Sequence, residues 1–553
     1  MSGAAVLRDR ALRLLPGRAD WIAVRRSPRR DLLAGLTVAV VALPLALAFG
    51  VTSGLGAQAG LVTAVVAGAV AAVFGGSNLQ VSGPTGAMTV VLVPVVQQFG
   101  PTGVLMVGAM AGLLLIALAL ARLGRYVRYL PTPVIEGFTA GIAVVIALQQ
   151  VPAALGVTDA HGERVWAVAG DAVGRFVAHP RPAAVAVALG VAALMLLGAR
   201  WRPGVPFSLL GVAAATVLAD TAPVDLVRIG ALPQGLPAPS LAFLDPGAIG
   251  VLLPSALAVA ALAALESLLS ATVADGMTVG ERHDPDRELF GQGLANLASP
   301  LFGGIPATAA IARTAVNVRA GASSKLAALT HAVALAGIVL AAAPLVGRIP
   351  LAALAGVLLA TTVRMVEVGS LWALARATRG DALVLVLTFA VTVIWDLVTA
   401  VAVGIAVAVV VALRAVARSA RLEQVPLDAG DHSAEERALL DEHIVAYRLD
   451  GPLFFAAAHN FLLELSEVAD VRVVILRMSR VSTIDATGAH VLGDAIRRLR
   501  GRGIAVLLSG VTPGHDQVLS ALGVAEELRG EGLVFPDTPA AIRYAREIAL
   551  AAA

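Results

Sequence analysis

No cysteine occurs among the 553 residues, which excludes a disulfide framework, a thiol nucleophile and a thiolate metal site. Lysine is almost absent: Lys325 stands alone, so arginine carries nearly all the positive charge. Charge of either sign is missing from Leu32 to Ala121, ninety residues without Asp, Glu, Lys, Arg or His. Only 14% of the chain is charged, against about 25% in soluble domains. No Walker A sequence is present, and the nine histidines form no H-x-x-x-H pattern, so ATP-driven pumping and a metal centre have no support. A soluble enzyme, a secreted disulfide protein and a nucleic-acid binder are excluded, and no cofactor is expected.

Hydrophobic residues make up 58% of the sequence and the mean hydropathy is +0.84. The charge that exists is concentrated toward the ends. Residues 1–31 hold 11 of the 79 formal charges and residues 421–553 hold 32. This distribution predicts a lipid-embedded body between a basic arm and a soluble tail. The expected organisation is an N-terminal arm (1–31), a transmembrane domain (32–417), a linker (418–441) and a tail domain (442–553). The arm is too charged for a cleavable signal peptide and reads as a cytoplasmic lead-in.

Apolar runs punctuated by Gly, Pro and charged loops predict fourteen segments: 32–52, 58–76, 84–97, 103–121, 132–152, 182–199, 206–220, 249–274, 287–302, 307–319, 325–344, 349–366, 381–395 and 397–414. Arginines gather in the even-numbered loops, as at Arg122, Arg125 and Arg128, which predicts both termini in the cytoplasm.

Two segments are interrupted by a Phe-Gly-Gly turn followed by Pro: Phe74-Gly75-Gly76 with Pro84, and Phe302-Gly303-Gly304 with Pro306. The two prolines are 222 residues apart, as are Pro44 and Glu266. The matched spacing predicts a seven-plus-seven repeat; because seven is odd, the second copy is inverted. Each broken helix leaves unpaired N–H groups and about half a positive charge at its start. Two such starts facing each other would make an anion site.

Ionisable residues inside the predicted spans are few. Glu266 has Ser270 one turn on, a pairing suited to proton or cation coupling; the plainer alternative is a structural carboxylate paired with Arg. Arg313, early in the second broken helix, offers planar donors to a carboxylate, sulfate or bicarbonate, or else a counter-ion to Glu266. His331 reads as a hydrogen-bonded packing residue. From Glu442 the pattern turns to soluble α/β: strands near 444–449, 453–455, 473–476 and 504–508, helices at 459–467 and 488–500, then two more helices.

The residues Pro44 to Phe49, Val81-Ser82-Gly83-Pro84-Thr85 and the run from Glu266 to Asn317 resemble the SulP anion transporter family, which includes bacterial sulfate, bicarbonate and dicarboxylate carriers and the animal proteins pendrin and prestin. The tail resembles a STAS domain. The resemblance implies an all-α polytopic membrane protein of fourteen segments in a 7+7 inverted repeat, divided into core (1–4 and 8–11) and gate (5–7 and 12–14), usually homodimeric, with a small cytoplasmic α/β STAS domain. It implies a substrate held by Leu45, Phe49, Thr85, Gly86, Thr308, Ala309, Ala310, Ile311, Ala312 and Arg313. Sodium-coupled bicarbonate relatives resemble one another in having Asp where Glu266 stands and Thr where Ser270 stands, so the resemblance points to H+ more than Na+ as driving ion. In the tail, Ala486 occupies the position of a phosphorylatable Ser, leaving Thr487 as the nearby hydroxyl for a regulatory role.

The expected function is secondary active transport, a proton symport of a small oxyanion or C4-dicarboxylate by elevator-like alternating access at the cytoplasmic membrane. The alternatives are a sodium-coupled bicarbonate symporter and an uncoupled exchanger or channel on the same scaffold. Expected partners are the small anion, H+ or Na+, the lipid bilayer, a second copy, and a regulatory protein or nucleotide at the tail. No nucleic acid is expected.

Overall fold

The computed structural model describes residues 14–419, 421–424, 443–453 and 471–551, apart from 26, 130, 163, 203–204, 223, 234, 279–281 and 396. The expected helix at 459–467 and most of the expected linker lie outside these residues. The chain forms two compact units, Met1–Ile405 and Ala406–Ala553.

In chain order, the first unit contains helices α1 (Arg18–Val24), α2 (Pro28–Thr52), α3 (Ala57–Phe74), α4 (Gly86–Leu120), α5 (Thr132–Leu155), α6 (Val165–Ala178), α7 (Pro182–Trp201) and α8 (Phe207–Thr221). There follow α9 (Ile249–Met277), α10 (Pro285–Leu301), α11 (Ile311–Arg319), α12 (Lys325–Gly347), α13 (Leu351–Met365), α14 (Val368–Ala377), α15 (Arg379–Ile394) and α16 (Leu397–Ser419), which runs on into the second unit. Two short strands, β1 (Ser82–Gly83) and β2 (Thr308–Ala309), interrupt the helices.

Each of the fourteen expected segments has a helical counterpart, with α4 counted on both sides of Gly100, whose φ of 68° breaks the helix. Among the described residues, eight stretches are long and apolar enough to cross a membrane. Besides the short α1 in the N-terminal arm, two helices were not expected. The first, α6, carries Asp171 and Arg175 beside Trp166 and Val177, so its apolar residues never form a continuous run. The second, α14, has no buried residue, and Arg376 stacks on the exposed Trp372 ring. The tenth segment also starts later than expected, at Ile311, because Thr308 and Ala309 are extended.

The helices sort into two groups. In one, α2, α3, α4, α9, α10, α11 and α12 pack together; in the other, α5 packs with α6, α7, α13 and α15. The first group consists of the segments that the resemblance assigns to the core, and α5, α7, α13 and α15 are among those it assigns to the gate. Inside the first group small residues bring backbones close. A Cβ on Gly112 would lie 2.7 Å from the Gly293 carbonyl, so α4 and α10 cross backbone to backbone. The start of α2 is tied to the start of α12: the buried Asp31 carboxylate accepts from the backbone N–H of Ser323 at 2.6 Å and from the Ser324 hydroxyl at 2.5 Å.

The second unit is built on a five-stranded sheet: β3 (Arg421–Gln424), β4 (Ile444–Leu453), β5 (Val473–Ile484), β6 (Ala505–Ser509) and β7 (Val534–Phe535), adjacent in that order. β3 pairs antiparallel with β4 and the remaining neighbours are parallel. Part of the expected linker, 421–424, is therefore the edge strand of this sheet. The apolar run Val473 to Leu476 is fully buried, as a central parallel strand requires. Helices α17 (Ala486–Gly501), α18 (Pro513–Ala521), α19 (Val524–Gly530) and α20 (Thr538–Ala551) complete this unit; three helices follow β6 where two were expected.

Candidate anion site

The two broken segments meet. β1 and β2 pair antiparallel, Ser82 with Ala309 and Gly83 with Thr308, and each leads within three residues into a helix. Thr85 is the N-cap of α4 and Ala310 the N-cap of α11. Neither N-cap side chain accepts a hydrogen bond from its own first turn. Because the strands are antiparallel, the two sets of first-turn N–H groups, with their partial positive charge, open at the two ends of this short pair.

Thr85 spends its hydroxyl elsewhere, donating to Glu266 Oε2 at 2.9 Å. Glu266 is half-buried, on α9, opposite the start of α4. Arg313 is 2% exposed, and its Nη2 donates to the Pro84 carbonyl at 2.5 Å. Its Nη1 is buried and has no partner in the protein. Gly83 makes room for this: with φ of 155°, a Cβ there would sit 2.5 Å from Nη1. Among the described residues no ion pair joins Arg313 to Glu266, so Arg313 keeps a donor free that a counter-ion role would have occupied.

Ser270 is not bonded to Glu266. It donates to Thr314 Oγ1 at 3.0 Å, and Thr314 in turn accepts from Val81 N–H at 3.2 Å, linking α9, α11 and the strand before α4. Thr308 and Ala309 also face α9: Thr308 Oγ1 lies 2.9 Å from Ser267 Oγ, and Ala309 N–H donates to Ser267 at 3.2 Å. Both are fully buried and shape the crossing. Ile311 and Ala312 are exposed at the start of α11, Ala310 and Leu45 are half-buried, and Phe49 is buried against Gly86. A Cβ on Gly86 would meet Ile146 Cδ1 at 2.3 Å and Phe49 Cε1 at 3.1 Å. Ile146, from the other helix group, thus closes on the start of α4, which its place in a uniformly apolar run gave no reason to expect.

Beside these residues a cavity of about 860 Å3 is lined from both helix groups. It is lined by Ala48 and Val145, the neighbours of Phe49 and Ile146, and by Thr52, Gln150 and Arg164. Thr85, Glu266 and Arg313 are not among its lining residues. His331 is fully buried, but both ring nitrogens lack partners, so the expectation of a hydrogen-bonded histidine is half met. Among the described residues no group of three His, Asp or Glu is placed to hold a metal ion. In the tail, Thr487 is exposed in the first turn of α17, next to the N-cap Asp485, whose carboxylate accepts from Gly488 N–H at 2.7 Å.

The sulfate permease family profile matches residues 29–388 and the STAS domain profile residues 438–541. The chain is 35% identical over 517 residues to the putative sulfate transporter YvdB of Bacillus subtilis, covering 90% of this chain and 94% of that one. It is 33% identical over 516 residues to the bicarbonate transporter BicA of Synechocystis, covering 90% and 91%. The inward-facing structure of murine solute carrier 26 member A9, an anion transporter, superposes with a TM-score of 0.81 at 19% identity, covering 94% of this chain and 91% of that one. The expected fold class, a mostly helical polytopic membrane protein with a small α/β tail domain, therefore holds.

Proposed function

Because the chain belongs to the sulfate permease family and carries a STAS domain, we propose that it is an anion transporter, and more narrowly a proton-coupled symporter of a small oxyanion or C4-dicarboxylate. The observation that carries this reading is the pairing of the two broken segments, each leading into an uncapped helix start, next to a buried arginine with one unpartnered nitrogen. Such an arrangement favours a small anion with two or three oxygens, which can accept from backbone N–H groups and the guanidinium together. The similarity to proteins named as sulfate and bicarbonate transporters supports the same substrate class.

Glu266 is the candidate for the driving ion. Through Thr85 it is one hydrogen bond from the start of α4, so a change in its charge alters the field where the anion binds. Ser270, tied to Thr314, would act by fixing α11 against α9. Transport would proceed as the α2–α4 and α9–α12 group moves against the group around α5, with Phe49 and Ile146 meeting at the seam. We place the protein in the cytoplasmic membrane with fourteen crossings, both termini inside, as a homodimer, with the STAS domain in a regulatory role.

The test is uptake by purified protein in proteoliposomes of radiolabelled sulfate, bicarbonate, fumarate and succinate, at two pH values, with and without sodium. Accumulation driven by an inward proton gradient supports symport. Dependence on sodium favours the sodium-coupled alternative, and equilibration without accumulation favours the exchanger or channel. Glu266→Gln is expected to abolish proton-driven accumulation while leaving anion binding measurable. Normal accumulation by this variant would remove Glu266 from the coupling.

A further inference from the structure

Helix α10 carries a buried polar face that the sequence analysis did not single out. Glu288, Gln292, Asn296 and Ser299 follow at spacings of four, four and three, which place them on one side of a helix. Glu288 is 2% exposed and the other three are fully buried. Polar groups inside a membrane protein are costly unless each finds a partner. Here the partners are mainly the backbone groups that the broken segments left unpaired, rather than side chains of neighbouring helices.

Along this face the contacts pass from one broken segment to the other. Glu288 Oε2 accepts from Gly76 N–H at 2.9 Å and Ser77 N–H at 3.3 Å, and Gln292 Nε2 donates to Ser82 Oγ at 2.6 Å. These hold the segment leading into α4. Asn296 then pairs like a strand residue with Ala307, donating to its carbonyl and accepting from its N–H, both at 2.8 Å. Ser299 donates to the Ile305 carbonyl at 2.9 Å. These hold the segment leading into α11.

We propose that the polar face of α10 is a positioning element that fixes both broken segments to one rigid rod, so that Glu288, Gln292, Asn296 and Ser299 set the spacing of the two helix starts. The inference rests on the anion-site reading above for its functional meaning, though not for its geometry. Both starts keep their relation while the other helix group moves, because the bonds that tie their leading segments to α10 all lie within one group. None of the four is placed against the substrate. Their effect on transport passes through the N–H groups they orient. The second repeat supplies this rod for both repeats; α3, its counterpart in the first, contributes Thr63, which donates to the Ile305 carbonyl at 3.1 Å.

The absence of cysteine makes the test direct. Spin labels at Gln98→Cys and Arg319→Cys, both exposed, report the distance between the far ends of the two half-helices. A second pair, Leu113→Cys and Val333→Cys, is exposed on α4 and α12 beyond the broken segments and serves as control. Asn296→Leu and Gln292→Leu should broaden the first distance distribution and leave the second unchanged. Asn296→Asp, which keeps the acceptor and loses the donor, should broaden it less and keeps the test open if a leucine variant does not fold. Ser299→Thr, which keeps the hydroxyl, should match the parent. In uptake of labelled sulfate and bicarbonate, Asn296→Leu is expected to raise the apparent KM about tenfold, the loss of one well-placed anion contact, with Ser299→Thr restoring parental behaviour relative to Ser299→Ala. An unbroadened first distribution in the folded Asn296 and Gln292 variants overturns the proposal, and so does equal broadening of both pairs. Failure of the parent to take up either anion would count against the transport reading alone, since the distance measurement needs no substrate.

Discussion

Replacing Gly83 with alanine puts a methyl group where Arg313 Nη1 now lies. The added Cβ would stand 2.5 Å from that nitrogen and 3.4 Å from the Ala64 Cα, so the backbone side cannot yield and the guanidinium must. Ordinary contact needs about 3.5 Å, so Nη1 has to retreat by about 1 Å. The movement pulls on Nη2, which is bonded to the Pro84 carbonyl at 2.5 Å, one residue from the substitution. Arg313 keeps its charge but loses its aim. A hydrogen bond involving a charged group contributes about 1.5–3 kcal/mol, so losing one to a bound anion weakens apparent affinity by about 10- to 150-fold. The left-handed φ at Gly83 adds a separate conformational cost of about 1–3 kcal/mol, which lowers stability rather than affinity. The measurement is the concentration dependence of sulfate and bicarbonate uptake by Gly83→Ala, Arg313→Ala and the double variant. Because both single changes act on the same guanidinium, the double variant should be little worse than Arg313→Ala. An unchanged KM in folded Gly83→Ala, or fully additive losses, would refute the placement of Arg313 at the anion site.

Gly293→Val should destabilise the membrane unit by about 1–3 kcal/mol, read as a lowered unfolding temperature in detergent, because its Cβ would approach the Gly112 carbonyl to 2.8 Å and Ile116 to 2.7 Å. An unfolding temperature equal to the parent's would show that the α4–α10 crossing tolerates separation. In α1, burial pushes the Asp20 carboxyl up, but the two bonds from Arg287, the Gly17 N–H and the positive charge of Lys325 outweigh it and hold Asp20 below the usual carboxylate range. A depressed folded-state value stabilises above the unfolded value of about 3.9 and is lost as pH falls through the folded one. Asp20→Asn should therefore lower the unfolding temperature at pH 7, and the difference from the parent should shrink as pH falls below about 4. A deficit independent of pH would assign the effect to packing instead.

The membrane body was legible because its signals are local. A Pro after a Phe-Gly-Gly turn, repeated 222 residues later, marks a helix break whatever its surroundings, and Glu266 and Arg313 stand out simply by being charged. What those residues touch was less visible. Ser270 lies on the Glu266 face by helical spacing, yet its hydroxyl goes to Thr314, because α11 passes close enough to take it. The resemblance puts Thr308 among the substrate contacts, but strand pairing with Gly83 turns it toward α9. The polar face of α10 follows a readable spacing, but its partners are backbone groups on segments that carry no side-chain signal of their own. The helices α6 and α14 escaped notice because each mixes charge with Trp and Val and has no long apolar run of its own.

Lys325, the only lysine in the sequence, is 1% exposed, and its ammonium donates to the Val73 and Gly75 carbonyls at 3.1 and 2.7 Å. A lysine-specific protease therefore has a single peptide bond to recognise, and its key is locked beneath the turn that opens the first broken segment. Intact protein should resist such a protease, while any excursion that lifts this turn away yields two fragments of unequal size on a gel. The rate of their appearance becomes a clock for opening at one known place, with and without anion, and needs no label and no mutation.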